Sequence, residues 1–473
     1  MKRLRVLFCT PEFADYIQIG GLGAVSSALP RALMSIADVR VILPGYPQVL
    51  ASLRTFEFIA DCPPLAGMPA CSIWRSSTVD GLPIYVVVCP QLYDREGGPY
   101  GDARGVDWPD NDLRFARYAS AAASLADGGA SDWRADLVHA NDWQCGLIPG
   151  YLAWRGSSVP TLFTVHNLAY QGLFSRSAID RLGVPAAAFD VHGVEFHGQM
   201  SFMKSGLFYS SHISTVSANY AREIVTTEHG CGLDGLLKSR AGENRLTGIL
   251  NGIDGSWDPA HCPDLTAQFA PGQWKGRRLN ALSVRREFGL ALTRGPLFGL
   301  VARLVHQKGV DLVVQSSEAI AQAGGQLVIM GAGDADIVKE LEQVRRKYPS
   351  AVGVTTEFKD SLARRIFAGS DFTLLPSRFE PCGLSQMYAQ RLGSLPIAHN
   401  TGGLADTISD GKTGFLFSRA SSESLLGAIC RAFSLFGRKK ELHAMRRRAM
   451  ACDYGWNKSA SIYGALYQRL ESA

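Results

Sequence analysis

Arg303 and Lys308 share the run Val301-Ala302-Arg303-Leu304-Val305-His306-Gln307-Lys308-Gly309, which begins at the end of an apolar stretch. Two cations fixed in one strand-to-loop segment can stabilise an anion that forms as a bond to phosphate breaks, and a pair of solvated loop charges is the plain alternative. A second apolar stretch leads into Pro376-Ser377-Arg378-Phe379-Glu380-Pro381-Cys382-Gly383-Leu384. Glu380 there could accept hydrogen bonds from sugar hydroxyls or serve as a negative charge at a helix N-terminus. Two glycine pairs also follow strand-like runs, Gln18-Ile19-Gly20-Gly21-Leu22-Gly23 near the start and Thr401-Gly402-Gly403-Leu404-Ala405-Asp406 far down the chain. Paired glycines let backbone amides approach a phosphate. Each pair alone also fits an ordinary turn; together they suggest a nucleotide diphosphate held between two domains.

The elements that must position these residues are short runs rich in Val, Ile, Leu and Phe alternating with helical segments. That is the pattern of a parallel sheet covered on both faces. Strands are expected at 5–10, 39–43, 84–89, 137–140, 161–165 and 213–216, and again at 297–302, 326–330, 352–355, 372–375 and 395–398. The reading is two doubly wound α/β domains, at 1–245 and 246–455, with a deep cleft between them. An amphipathic helix at 456–473 is able to pack back on the first domain. In such sheets ligands bind beyond the carboxyl ends of the strands, where the candidate residues fall.

A chain of 473 residues suits two domains, and 46% hydrophobic with 19% charged residues suits a soluble globular protein. The net charge of +5 is spread out. The basic groups at 437–440 and 446–448 read as solvated helix faces, so no nucleic-acid partner is expected. Ten cysteines without a CxxC pair fit a reducing compartment. No signal-like or membrane-spanning run is present, which points to the cytoplasm and to no membrane partner. Oligomeric state is not readable.

These motifs, with Thr164-Val165-His166-Asn167-Leu168-Ala169-Tyr170-Gln171-Gly172 and Leu250-Asn251-Gly252-Ile253-Asp254, resemble bacterial glycogen synthases and plant starch synthases from the first strand to Trp456. The resemblance implies two Rossmann-like domains of GT-B type, a nucleotide-sugar donor (usually ADP-glucose), an α-1,4-glucan acceptor, retention of anomeric configuration, and neither cofactor nor metal. Carried over by motif, Arg303 and Lys308 face the leaving diphosphate, His166 the donor glucose, and Glu380 the sugar hydroxyls. Asp142 and Asn251 line the glucose pocket, and Phe358 stands where the family commonly stacks a Tyr on adenine. Gln18, Gly20 and Gly21 form the first loop. Cys382, Gly383, Leu384, Thr401, Gly402 and Gly403 complete the donor side, with Tyr93 and Trp143 as acceptor-side aromatics. His139 and His192 lack such support. No second carboxylate is placed as a nucleophile, unlike the pairs of glycoside hydrolases, so front-face attack by the acceptor hydroxyl is the expected mechanism.

One motif departs from the family pattern. The first loop has Gln18 where the family has Lys, and Ala24 where it has Asp. Three readings follow: an active glucan synthase with a modified loop, a same-fold transferase with another donor or acceptor, and a glucan-binding or regulatory protein without turnover.

Overall fold

The computed structural model describes residues 3–131 and 133–472. In chain order the first part carries β1 (Arg5–Cys9), β2 (Asp38–Pro44), β3 (Glu57–Cys62), β4 (Cys71–Ser77), β5 (Pro83–Val88), β6 (Leu137–Asn141), β7 (Thr161–Val165), β8 (Leu173–Ser175), β9 (Glu195–Phe196), β10 (Gln199–Ser201), β11 (His212–Thr215) and β12 (Leu246–Gly248). Nine of these form one sheet in the order β12-β11-β7-β6-β1-β2-β5-β4-β3, and β8, β10 and β9 form a small separate sheet. Pairing is parallel from β12 to β5 and antiparallel where β4 and β3 extend the edge. Every residue of β6, β7 and β11 is buried, because helices cover both faces.

The second part carries β13 (Leu297–Val301), β14 (Gln326–Met330), β15 (Val352–Thr355), β16 (Phe372–Leu375), β17 (Leu395–His399) and β18 (Phe415–Phe417). They make a parallel six-stranded sheet in the order β15-β14-β13-β16-β17-β18. Leu300, Leu327, Ile329, Phe372 and Ile397 pack against the helices Val310–Gln322 and Ser422–Gly437 to form its core.

The chain divides into two compact units, Met1–Gly252 with Trp456–Ala473, and Ile253–Gly455. The first unit therefore runs past residue 245, because β12 pairs with β11 and extends the first sheet. The last helix, Trp456–Glu471, lies on the first unit. Its Tyr467 hydroxyl is 2.7 Å from Nδ1 of buried His139, and its Ser459 hydroxyl donates to the Leu250 carbonyl at 2.5 Å. His139 also meets Thr164 Oγ1 through Nε2 at 2.6 Å, so it is a satisfied core histidine.

One expectation about charge is corrected. Arg447 and Arg448 are solvated, but Arg446 is only 5% exposed and donates to Asp371 Oδ1 at 2.6 Å, with Arg277 also near that carboxylate. A buried carboxylate needs such cations, and the Asp371 carboxyl is held below its usual value despite the burial that would raise it.

Both sheets grow outward in two directions from their first strand. In the first, β1 sits between β2 and β6; in the second, β13 sits between β14 and β16. The loops beyond β1 and β6, and those beyond β13 and β16, are where a doubly wound sheet opens to a ligand.

Candidate active site

In the second unit the loops after β13 and β16 meet. Lys308 Nζ donates to Glu380 Oε2 at 2.6 Å, and the Ser377 hydroxyl donates to the same oxygen at 2.9 Å. The Arg378 amide donates to the Gln307 carbonyl at 2.9 Å, and its guanidinium forks onto Asp311 at 2.8 and 2.7 Å. Gly309, at φ +65°, makes this approach possible, because a Cβ there would stand 2.1 Å from the Pro376 carbonyl oxygen. The second glycine pair is seated in the same way: Gly402 has φ +45°, a Cβ on it would fall 1.8 Å from the Glu380 carbonyl oxygen, and the Gly403 amide donates to that oxygen at 3.0 Å. Glu380, Cys382 and Thr401 are buried and Gly383 and Leu384 half-buried in this packed corner.

Arg303 differs from Lys308. It is exposed, and its guanidinium has no hydrogen-bond or ion-pair partner among the described residues. An unpaired cation beside a carboxylate-bound one gives the end of β13 one charge ready for an anion and one already held in place. Phe358, in the loop after β15, is 58% exposed and so presents an open ring for stacking.

In the first unit the ends of β6 and β7 bring Asn141, Asp142 and His166 together. The Asn141 amide nitrogen donates to the carbonyls of Cys9 at 3.0 Å and His139 at 3.4 Å, so its oxygen faces His166 Nε2 at 3.0 Å. That network assigns the proton to Nε2 and leaves Nδ1 as an acceptor. Desolvation holds the imidazole well below the usual histidine value, so it is neutral at pH 7. Asp142 is 7% exposed, and burial pushes its carboxyl up to about 7 despite hydrogen bonds from the Asn167, His166 and Trp143 amides. Its backbone stands at φ 60°, ψ 178°, held by its amide donating to the Thr164 carbonyl at 2.9 Å. Such a conformation costs about 1–3 kcal/mol in a non-glycine residue and concentrates at functional sites. Asn251 is 6% exposed, and its side-chain oxygen has no donor, an acceptor a ligand hydroxyl could satisfy.

The first glycine loop is not a bare phosphate cradle. Glu12 Oε2 accepts from the Ile19 amide at 2.8 Å and the Gly20 amide at 3.1 Å, while Oε1 accepts from the Tyr100 hydroxyl at 2.5 Å. Exposed Gln18 turns its amide onto the Gly20 carbonyl at 3.1 Å, and Gly21 opens the helix Gly21–Leu33. Sequence reasoning missed Glu12; a carboxylate in the turn that leads to the glycine pair was the available signal.

The two aromatics expected on the acceptor side part company. Trp143 is half-buried, edge-on to Phe115 at 5.1 Å and seated over Gly172. Tyr93 is 1% exposed, donates to the Arg114 carbonyl at 2.8 Å and packs edge-on against Tyr46. It is a core residue with no face open to an acceptor. Arg114 itself is fully buried among the carbonyls of Leu92 and Pro99, the Asn111 side chain and four aromatic rings, which no sequence pattern announced. Among the described residues, no group of three or more His, Cys, Asp or Glu side chains is placed to hold a metal ion, and no helix is long and apolar enough to cross a membrane.

Residues 5–239 match the family model described as the starch synthase catalytic domain, and residues 295–434 match glycosyl transferases group 1. Glycogen synthase 1 of Bradyrhizobium diazoefficiens is 58% identical over 457 residues, covering 96% of this chain and 99% of that protein. The chain belongs to the glycogen and starch synthase family. Glycogen synthase of Pseudomonas fluorescens strain Pf0-1 is 53% identical over 470 residues, 99% of this chain and 96% of its own. Among solved structures, the catalytic domain of starch synthase IV from Arabidopsis thaliana bound to ADP and acarbose aligns over 100% of both chains with a TM-score of 0.89 and 30% identity. Members of this family are glycosyltransferases, and the two Rossmann-like units of this chain are those of the GT-B fold.

Proposed function

We propose that this glycogen synthase family member transfers glucose from ADP-glucose, with retention of configuration, to the non-reducing end of an α-1,4-glucan. The observation that carries the reading is the pair of cations after β13, with Lys308 fixed on Glu380 at 2.6 Å and Arg303 unpaired. Breaking the sugar-phosphate bond puts positive charge on the glucose ring and negative charge on the diphosphate. Arg303 and Lys308 stabilise the second, and fixed charges of this kind act mainly in the transition state. Neutral His166 adds no positive charge that would oppose the first. Its Nδ1 and the Asn251 oxygen supply acceptors for glucose hydroxyls, Glu380 and Asp142 supply others, and Phe358 supplies a face for adenine. The acceptor hydroxyl attacks from the side the diphosphate leaves, passing its proton to the departing phosphate oxygen.

With the leaving charge carried by two side chains, the reaction needs no metal and no cofactor. The relatives named glycogen synthase and the ADP and acarbose bound to the Arabidopsis enzyme support the donor and acceptor classes. Ten free thiols suit the reducing cytoplasm.

Side-by-side transfer of radiolabelled glucose from ADP-glucose and UDP-glucose to glycogen, with and without EDTA, tests this. Expected is label in the polymer from ADP-glucose, unaffected by EDTA and released by an α-1,4-specific glucosidase. Preference for UDP-glucose, or no polymer label from either donor, would overturn it.

A further inference from the structure

We propose that Cys62 and Cys71, opposed across β3 and β4 with the Arg117 guanidinium on the Cys71 sulfur, form a peroxide-sensitive dithiol. Cys62 ends β3 and Cys71 begins β4, and the two stand directly opposite in the antiparallel register. Opposed residues hold their Cβ atoms about 4.5–5.5 Å apart, close to the span a disulfide needs. Both are nearly buried, at 7% and 6% exposure, under the helix Asn111–Ala126, which carries Arg117.

Arg117 is itself 2% exposed and no carboxylate pairs with it among the described residues. Its Nε donates to Cys71 Sγ at 3.0 Å and its Nη2 to the Cys62 carbonyl at 2.7 Å. A buried guanidinium without a carboxylate needs an anion, and the Cys71 sulfur is the one ionisable group it touches among the described residues, with the Cys62 carbonyl beside it. The Cys71 thiol, accepting from Arg117, donates in turn to Cys62. That hydrogen bond, with Arg117 and Arg155 adding attraction against burial and Asp61, draws Cys62 down to about 7 and pushes Cys71 far up, so near neutral pH the pair gives up one of its two protons and holds the other.

Oxidation then runs in two steps. The thiolate attacks one oxygen of hydrogen peroxide, the O–O bond breaks, and the departing hydroxide takes a proton from solvent to become water, leaving a sulfenic acid. The second sulfur gives up its proton and attacks the first, the S–O bond breaks, and the leaving hydroxide becomes the second water. Two electrons pass from the sulfurs to the peroxide.

The tryptic peptide Thr55–Arg75 contains both sulfurs and no other cysteine. The full-length protein is treated with hydrogen peroxide at pH 7, denatured, alkylated and digested. Expected is a Thr55–Arg75 peptide two hydrogens lighter and unalkylated while exposed Cys231 and Cys430 remain alkylatable. Arg117→Met slows that change roughly five- to tenfold, the gain in thiolate being partly offset by its lower nucleophilicity. Where Arg117→Met does not fold, Cys71→Ser is used, and a dimedone adduct should collect on Cys62. Oxidation of Cys231 and Cys430 before the pair, an unchanged rate in folded Arg117→Met, or no adduct in Cys71→Ser overturns the proposal.

Discussion

Replacing Asp142 by Asn tests whether the first unit stores an ionisation penalty at its candidate site. Burial holds the native carboxyl up to about 7, while an unfolded aspartate titrates near 3.9. Between those values the native state keeps a proton that the unfolded chain has released. Its stabilising effect is therefore complete below about pH 4 and is lost as pH rises through about 7. The interval of about three pH units corresponds to about 4 kcal/mol, and at 7% exposure solvent relieves little of it. Asparagine cannot ionise, keeps one acceptor for the surrounding amides, and tolerates the positive φ better than most residues. Asp142→Asn should match wild type within about 1 kcal/mol at pH 4.5. At pH 8 it should be more stable by about 2–4 kcal/mol, or roughly 5–10 °C in Tm for a unit of this size. Calorimetric melts of both proteins at pH 4.5, 6 and 8 read this directly. A stability difference that does not change with pH would refute the burial argument. The same variant should lose turnover, since a neutral amide replaces the acceptor assigned to the glucose pocket.

Arg303→Ala and Lys308→Ala should each lower kcat by about two to four orders of magnitude. Lys308→Ala should also cost about 3–5 kcal/mol of stability by stranding buried Glu380, whereas exposed Arg303→Ala leaves the melt unchanged; steady-state rates with melting curves separate the two. Gln18→Lys should raise the rate with ADP-glucose about tenfold. Glu12 Oε2 and Gln18 Cγ both lie within 3.2 Å of where a Gly23 Cβ would stand, so the new ammonium has a carboxylate close by. No gain in either Gln18→Lys or its double variant with Ala24→Asp would remove this loop from the rate-limiting step. Phe358→Ala should raise KM for ADP-glucose about five- to tenfold while kcat changes less, as measured by initial rates of ADP release.

The parallel core was legible because buried strands read as short, mainly apolar runs set between turn residues: 161–165, 326–330, 352–355 and 372–375 were placed to the residue. The edge pair β3 and β4 was not, because β3 is largely exposed, carries a register shift between Phe58 and Ala60, and lacks a continuous apolar run. Strand-end motifs singled out His166, Arg303, Lys308 and Glu380 as candidates, and Lys308 and Glu380 prove to be in contact. That contact was invisible in the sequence, since it depends on β16 lying beside β13 in the sheet with β14 and β15 between them in the chain. Burial of charge was equally hidden: Arg446 read as solvent-facing until Asp371 is brought to it, and nothing in the sequence singled out the buried Arg114 or Arg117. Tyr93 erred the other way, a motif-placed aromatic that the fold uses as packing. Backbone strain at Asp142 has no signature in residue type.

The position of the last helix fixes the order in which the two units can be completed during synthesis. Ile253–Gly455 is one continuous stretch, with its ends tied by the Ile253 amide donating to the Tyr454 carbonyl at 2.8 Å, and all of it is synthesised before Trp456 is added. The N-terminal unit, begun first, must wait with His139 lacking its Tyr467 partner and Gly252 lacking the Trp456 ring that covers it. A released chain truncated after Gly455 should thus present a protease-resistant second unit and a first unit still open to cleavage, and adding the helix as a separate peptide should close it.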